Sequence, residues 1–178
     1  MLGLLSYAPR LTGYELKHWA DHSLRFFYRA PAMSQIYTEL QRLEELQWVE
    51  SWTEPQDDVR TKRVYRVTSE GAAALRDHVE SAPFRSPVVR NPVAMRVWLG
   101  RLTGGAGLVR LVDEFGAHLD ELVHDITRAL RAAEDDPDLA YAALALRWTA
   151  RTYQAQADAL QELRRELVQL VEQGPDDR

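Results

Sequence analysis

The chain contains no cysteine among its 178 residues, which removes thiolate nucleophiles, thiolate zinc sites and disulfide staples and leans towards a reducing compartment. Long apolar runs are missing too, since no stretch approaches the ~20 apolar residues needed to span a bilayer. The opening residues Met1 to Leu5 have no basic segment before them, and the apolar run breaks at Pro9. No secretory signal is expected, and the reading is a soluble, cytoplasmic protein without a membrane partner. Positive charge is not in excess: 22 Lys and Arg stand against 27 Asp and Glu, a net charge of −5, so any attraction to nucleic acid has to be local. Internal repeats and low-complexity tracts are absent. A composition of 46% hydrophobic and 28% charged residues suffices for one core or two small ones and excludes disorder.

Three prolines, Pro83, Pro87 and Pro92, punctuate the middle of the chain. Each denies a backbone donor and pushes the residue before it out of helix. This predicts a domain spanning 1–80, a proline-rich linker at 81–92 and a second domain over 93–178. Up to Leu75 the chain carries nine basic against ten acidic residues, so the first part is close to neutral.

Within that part, Leu2 to Tyr7 reads as a short apolar helix, and Thr12 or Gly13 opens a second one through Leu16 and Ala20. Ser34 is the expected N-cap of a third helix, whose apolar face is Ile36, Leu40, Leu43 and Leu46 at spacings of four, three and three. Its other face offers Gln35, Thr38, Gln41 and Arg42 to solvent. Residues 48–53 and 62–67 read as strands joined by a turn-rich loop, and Thr68 or Ser69 caps a helix after them. Three short helices followed by a two-stranded hairpin is the order of a winged helix-turn-helix. A helix of ~12 Å diameter fits the major groove, and a basic hairpin reaches the flanking backbone. Arg60, Lys62 and Arg63 supply that charge.

Several pieces resemble the PadR-like transcriptional regulators: Leu2-Gly3-Leu4-Leu5, Gly13-Tyr14-Glu15-Leu16, Ile36-Tyr37 with Leu40, Arg42-Leu43-Glu44, and Arg63 to Thr68 with Gly71 and Leu75. They keep the family's order over roughly the first 80 residues. The resemblance implies a homodimeric DNA-binding regulator with an N-terminal winged helix and a C-terminal helical dimerisation part. This chain departs from the family at three places. Gln47 stands where a left-handed glycine usually ends the third helix, so a different exit is expected. Thr38 replaces a common proline, and the chain starts directly at the first helix without a leader.

Residues expected to contact DNA are Ser34, Gln35, Tyr37, Thr38 and Gln41 on the third helix, Arg60, Lys62 and Arg63 on the wing, and Lys17 on the second helix. Tyr37 admits two readings, a reader of bases or a packed ring with only its hydroxyl free for a phosphate. Lys17 and His18 equally fit an ordinary exposed helix surface. Glu39, Glu44 and Glu45 repel phosphate, so reading is assigned to the helix N-terminus. His18 and His22 have the i, i+4 spacing that grips zinc, but no third ligand accompanies them and the Glu of the zinc-protease motif is missing. Gly104-Gly105-Ala106-Gly107 lacks the Lys and Ser or Thr of a phosphate loop and reads as a helix junction. No metal, cofactor or catalytic constellation is expected, and the protein is not read as an enzyme.

After Leu108 the pattern is helical throughout. Leu139, Ala143, Leu146, Ala150, Tyr153, Ala157 and Leu160 step by four and three, continuing as Leu163, Leu167 and Leu170, which is a coiled-coil seam. Asp136, Pro137 and Asp138 break it from the preceding helix, giving a long antiparallel pair. A second copy is the economical way to cover the stripe, with Leu139, Leu146, Tyr153, Leu160, Leu163, Leu167 and Leu170 at the dimer contact. Closure within one chain is the other reading. Trp98, Phe115, Trp148 and Tyr153 form a candidate site for a small aromatic effector, against plain packing. The fold is thus read as mostly α, and the function as homodimeric repression at a pseudo-palindromic double-stranded operator. The competing function is a winged-helix protein-interaction module that does not bind operator DNA.

Overall fold

The computed structural model describes residues 1–27, 30–55, 61–83, 91–102 and 104–173. The chain divides into two compact units, Met1–Ser86 and Pro87–Arg178. In the first, helix α1 (Leu2–Leu5) precedes a two-residue strand β1 (Leu11–Thr12) and helix α2 (Gly13–His22). Helix α3 (Met33–Glu45), strands β2 (Val49–Pro55) and β3 (Thr61–Val67) and helix α4 (Ser69–Ser81) follow. The sheet is antiparallel in the order β1-β3-β2, with Leu11 opposite Tyr65 and Ser51 opposite the same tyrosine. The expected two-stranded hairpin is present as β2 and β3, and β1 adds a third, two-residue strand beside β3. β3 is central, and its neighbouring residues Val64 and Tyr65, which point to opposite faces of the sheet, are both buried.

The sequence explains most of these boundaries. Thr12 and Glu15 form a reciprocal cap on α2: the Thr12 Oγ1 accepts from the Glu15 N–H at 3.1 Å, and the Glu15 carboxylate accepts from the Thr12 N–H at 2.7 Å. Ile36, Leu40 and Leu43 of α3 are buried with Leu5, Leu16 and Ala20 in the core. Leu46, expected on that face, sits at the C-cap and is exposed. The expected cap at Ser34 is also corrected. Ala32 is the N-cap, with no side-chain acceptor to offer; instead the Gln35 Oε1 accepts from the Ala32 N–H at 2.8 Å, and Ser34 lies inside the first turn.

The exit from α3 differs from expectation in an instructive way. Gln47 has φ 58°, so it adopts the left-handed conformation without being glycine. Its N–H donates to the Glu44 carbonyl at 2.9 Å, and the Trp48 N–H donates to the Leu43 carbonyl at 2.9 Å. That is a complete Schellman ending. The geometry of the turn is kept while the residue suited to it is not, at a cost of about 1 kcal/mol or more for a side chain in this region. Gln47→Gly is expected to raise stability by about 1 kcal/mol, seen as a higher urea midpoint at unchanged slope; an unmoved midpoint refutes it.

The second unit contains α5 (Pro92–Trp98), α6 (Gly105–Glu134) and α7 (Ala140–Glu172). Asn91 caps α5, its Oδ1 accepting from the Ala94 N–H. Asp136 caps the short turn at Pro137–Leu139 between the long helices, as its breaker residues predicted. Asp113 pairs with Arg164, Glu134 with Arg147, and Gly116 faces Leu160, a set of matches that runs in opposite directions along the two helices. α6 and α7 are thus an antiparallel pair. Leu108, Val112, Leu119 and Ile126 of α6 are buried, as are Leu146, Leu160 and Leu167 of α7. Among the described residues no helix is long and apolar enough to cross a membrane.

Candidate nucleic-acid interface

The polar face of α3 stands opposite its buried one. Ser34, Gln35, Tyr37, Thr38 and Gln41 are all exposed on it. Two are already engaged locally: Gln35 closes the helix start, and the Thr38 hydroxyl donates to the Ser34 carbonyl at 3.0 Å. Tyr37 is 49% exposed, and its ring lies against the first residue of α2. A Cβ placed on Gly13 would meet Tyr37 Cε1 and Cζ at 2.8 Å and its hydroxyl oxygen at 2.9 Å. The phenol is therefore held over the start of α2 by a position that has room only for hydrogen.

Tyr65 of the wing lies near enough to Tyr37 to be influenced by it. Burial pushes the Tyr65 phenol above its ordinary value; the nearby Glu44 and Tyr37 add to this, while the Arg63 guanidinium opposes it. Arg63 lies over the Tyr65 ring at 5.5 Å. It is also tied to α3, its Nη2 donating to Glu44 Oε1 at 2.9 Å and Oε2 at 3.2 Å, and its Nε donating to the Ser51 hydroxyl at 2.8 Å. Ser51 in turn donates to Glu44. At the other side of β3, Lys62 lies close enough to Glu15 to help lower that carboxyl, after the two hydrogen bonds from Thr12.

The carboxylates expected to repel phosphate are thus mostly neutralised. Glu39 is bound by Arg42, which holds its carboxyl below the usual range, and Glu45 accepts from Gln41. Lys17 pairs with Asp21. His18 and His22 stack at 4.1 Å between ring centres, and His22 Nδ1 lies 2.7 Å from the His18 carbonyl oxygen. Among the described residues no group of three His, Cys, Asp or Glu converges to hold a metal. Arg60 lies outside the described residues. Glu44 and Ser51 join this surface, and the buried Gly13 and Tyr65 lie beneath it, without having been singled out as contacts. Only Gly13 carried a hint, as a small residue at a helix start.

In the second unit, the seam assigned to a second copy is largely filled by the chain itself. Leu146, Leu160 and Leu167 are buried in one chain, Leu139, Tyr153 and Leu163 are half-buried, and Leu170 is 65% exposed. Large apolar side chains left in water are instead Met95, Trp98, Leu102, Tyr141, Leu144 and Trp148. Of the four candidate effector residues, Phe115 and Tyr153 pack on the core of this unit, whereas Trp98 and Trp148 are exposed. None of the four lines the apolar groove of about 480 Å³ formed by Arg96, Leu99, Leu102, Gly107, Leu108 and Leu111.

The model of the Transcriptional regulator PadR-like family matches residues 1–77. No curated protein matches. PadR of Bacillus subtilis in complex with operator DNA is similar in fold, with a TM-score of 0.80 at 19% identity over 93% of this chain and 95% of that one. A PadR-like transcriptional regulator from Bacillus cereus gives 0.78 at 20% identity, covering 93% and 92%. The Bacillus subtilis protein in complex with p-coumaric acid gives 0.73 at 19% identity, covering 93% and 95%.

Proposed function

We propose that this chain, PadR-like over residues 1–77, regulates transcription by binding a pseudo-palindromic operator as a homodimer, acting as a repressor by occupying the promoter. The reading is carried by one observation: Ser34, Gln35, Tyr37, Thr38 and Gln41 form an exposed polar face on α3 while Ile36, Leu40 and Leu43 anchor the opposite face in the core. α3 inserts into the major groove, and Lys62 and Arg63 of the wing meet phosphates beside it. Operator DNA bound to a Bacillus subtilis relative of the same fold supports this assignment. Exposed Trp98, Tyr141, Leu144 and Trp148 support a second copy, which would place two recognition helices on two half-sites. The p-coumaric acid complex of that relative supports an aromatic effector, with Trp98 and Trp148 offering free ring faces. No bond chemistry is involved.

The test is fluorescence anisotropy of the purified protein on its own upstream intergenic DNA, across a salt series, beside Arg63→Ala and Gln35→Ala. Wild type prefers that duplex over random DNA and weakens linearly in log salt. Arg63→Ala makes the salt slope shallower by about one, and Gln35→Ala reduces discrimination between the operator and mismatched duplexes by about 1 kcal/mol or more. A protein without preference for any genomic duplex, and indifferent to salt, is instead a protein-interaction module.

A further inference from the structure

The first unit is close to charge-neutral, and five of the cations among its described residues are held in ion pairs. Arg10 pairs with Glu54, Lys17 with Asp21, Arg42 with Glu39, Arg63 with Glu44 and Arg66 with Glu50. A cation held in this way reaches a polyanion when a phosphate takes the place of its carboxylate. The five pairs are not equivalent. Lys17–Asp21 and Arg42–Glu39 join neighbours on one helix, Arg66–Glu50 joins partners across two strands, and Arg10–Glu54 lies at 3.1 Å. Arg63–Glu44 alone of the five links α3 to the wing. There the carboxylate is the fixed member: its side chain is 24% exposed, and it receives Ser51 as well as the guanidinium. The guanidinium is the outward member, 58% exposed, and it uses Nε and Nη2 for these contacts.

We propose that Glu44 is an autoinhibitory, affinity-setting residue: it stands in for a DNA phosphate at Arg63, and the wing engages DNA by exchanging Arg63 from Glu44 to the backbone. The inference rests on the DNA-binding reading and adds a sign to it. Surface ion pairs are weak enough to be exchanged without disturbing the fold, and phosphate offers the same bidentate geometry as carboxylate. Because the exchange concerns phosphate and no base, its cost falls on operator and random duplex alike. Glu44 therefore sets how tightly the protein holds any DNA, and leaves the choice of sequence to α3.

Glu44→Gln removes the charge and keeps an oxygen for Ser51 and Arg63. It is expected to tighten binding to operator and to random duplex by the same factor, about three- to tenfold at 0.15 M salt, with a salt slope steeper by about one. Glu44→Asp, which keeps the charge, stays near wild type. In an Arg63→Ala background the gain from Glu44→Gln disappears. Thermal midpoints of all variants are measured beside the affinities, so that a folding defect is separated from a binding effect. Weaker binding by Glu44→Gln overturns the proposal, since Glu44 then orients Arg63 towards phosphate. So does a gain that persists without Arg63, or one confined to the operator. If wild type binds no duplex at all, the DNA-binding reading has failed and not this assignment alone.

Discussion

Gly71→Ala is expected to destabilise the protein by about 3 kcal/mol, lowering the calorimetric midpoint of the full chain by ~12 °C or more if the winged unit melts first. A Cβ on Gly71 would lie 2.1 Å from the Trp48 carbonyl oxygen and 2.8 Å from its carbon. These are backbone atoms, so relief by a side-chain rotation is not open. Nor can Trp48 retreat easily. Its carbonyl accepts from the Thr68 N–H at 3.0 Å, and its own N–H closes the end of α3 on the Leu43 carbonyl. Thr68 is bound twice more, its hydroxyl donating to the Gln47 carbonyl at 2.8 Å and accepting from the Gly71 N–H at 3.0 Å. The start of α4, the end of α3 and the start of β2 thus meet at one knot of hydrogen bonds, and the alanine methyl would have to part them. An alanine variant that melts with wild type would show that the knot is slack.

Gly13→Ala makes the opposite pair of changes, little in stability and much in binding. Its Cβ would collide with the Tyr37 ring at 2.8 Å, but the obstacle is a half-exposed side chain that can swing away. Helix α2 loses nothing, since alanine is the better helix former by about 1 kcal/mol. The phenol, however, leaves the face it shares with Gln35 and Thr38. Operator affinity is expected to fall about 10- to 100-fold, the scale of one or two base or phosphate contacts. In a Tyr37→Ala background the same substitution should cost almost nothing, because the ring it displaces is gone. Equal losses in both backgrounds would mean that Gly13 matters for a reason other than Tyr37.

These two glycines mark what was and was not legible beforehand. Local signals were readable: Ile36, Leu40 and Leu43 gave the buried face of α3, Thr12 and Thr68 stood ready to cap, and Asp136-Pro137-Asp138 separated α6 from α7. Contacts between distant residues were not. Nothing at Gly71 announces the Trp48 carbonyl, and nothing at Glu44 announces Arg63, because composition and spacing do not carry three-dimensional proximity. β1 was missed because two residues cannot display an alternating pattern. Gln47 misled for another reason: the hydrogen bonds at the end of α3 outweigh the preference of its side chain. The seam of α7 was legible as a face that must be covered, but periodicity does not name what covers it. Much of the cover turned out to be α6.

The sheet order has a bearing on how this protein can associate. With β3 in the middle, β1 and β2 are both edges, and an open edge is a template on which a foreign strand can grow. Here each edge is blunted. β1 offers two residues, too few to register a newcomer, while β2 ends in Pro55, which has no N–H to give, and carries the charged Glu50 and Glu54. Copies of this chain are thereby kept from joining sheet to sheet. Aggregation through the wing is discouraged.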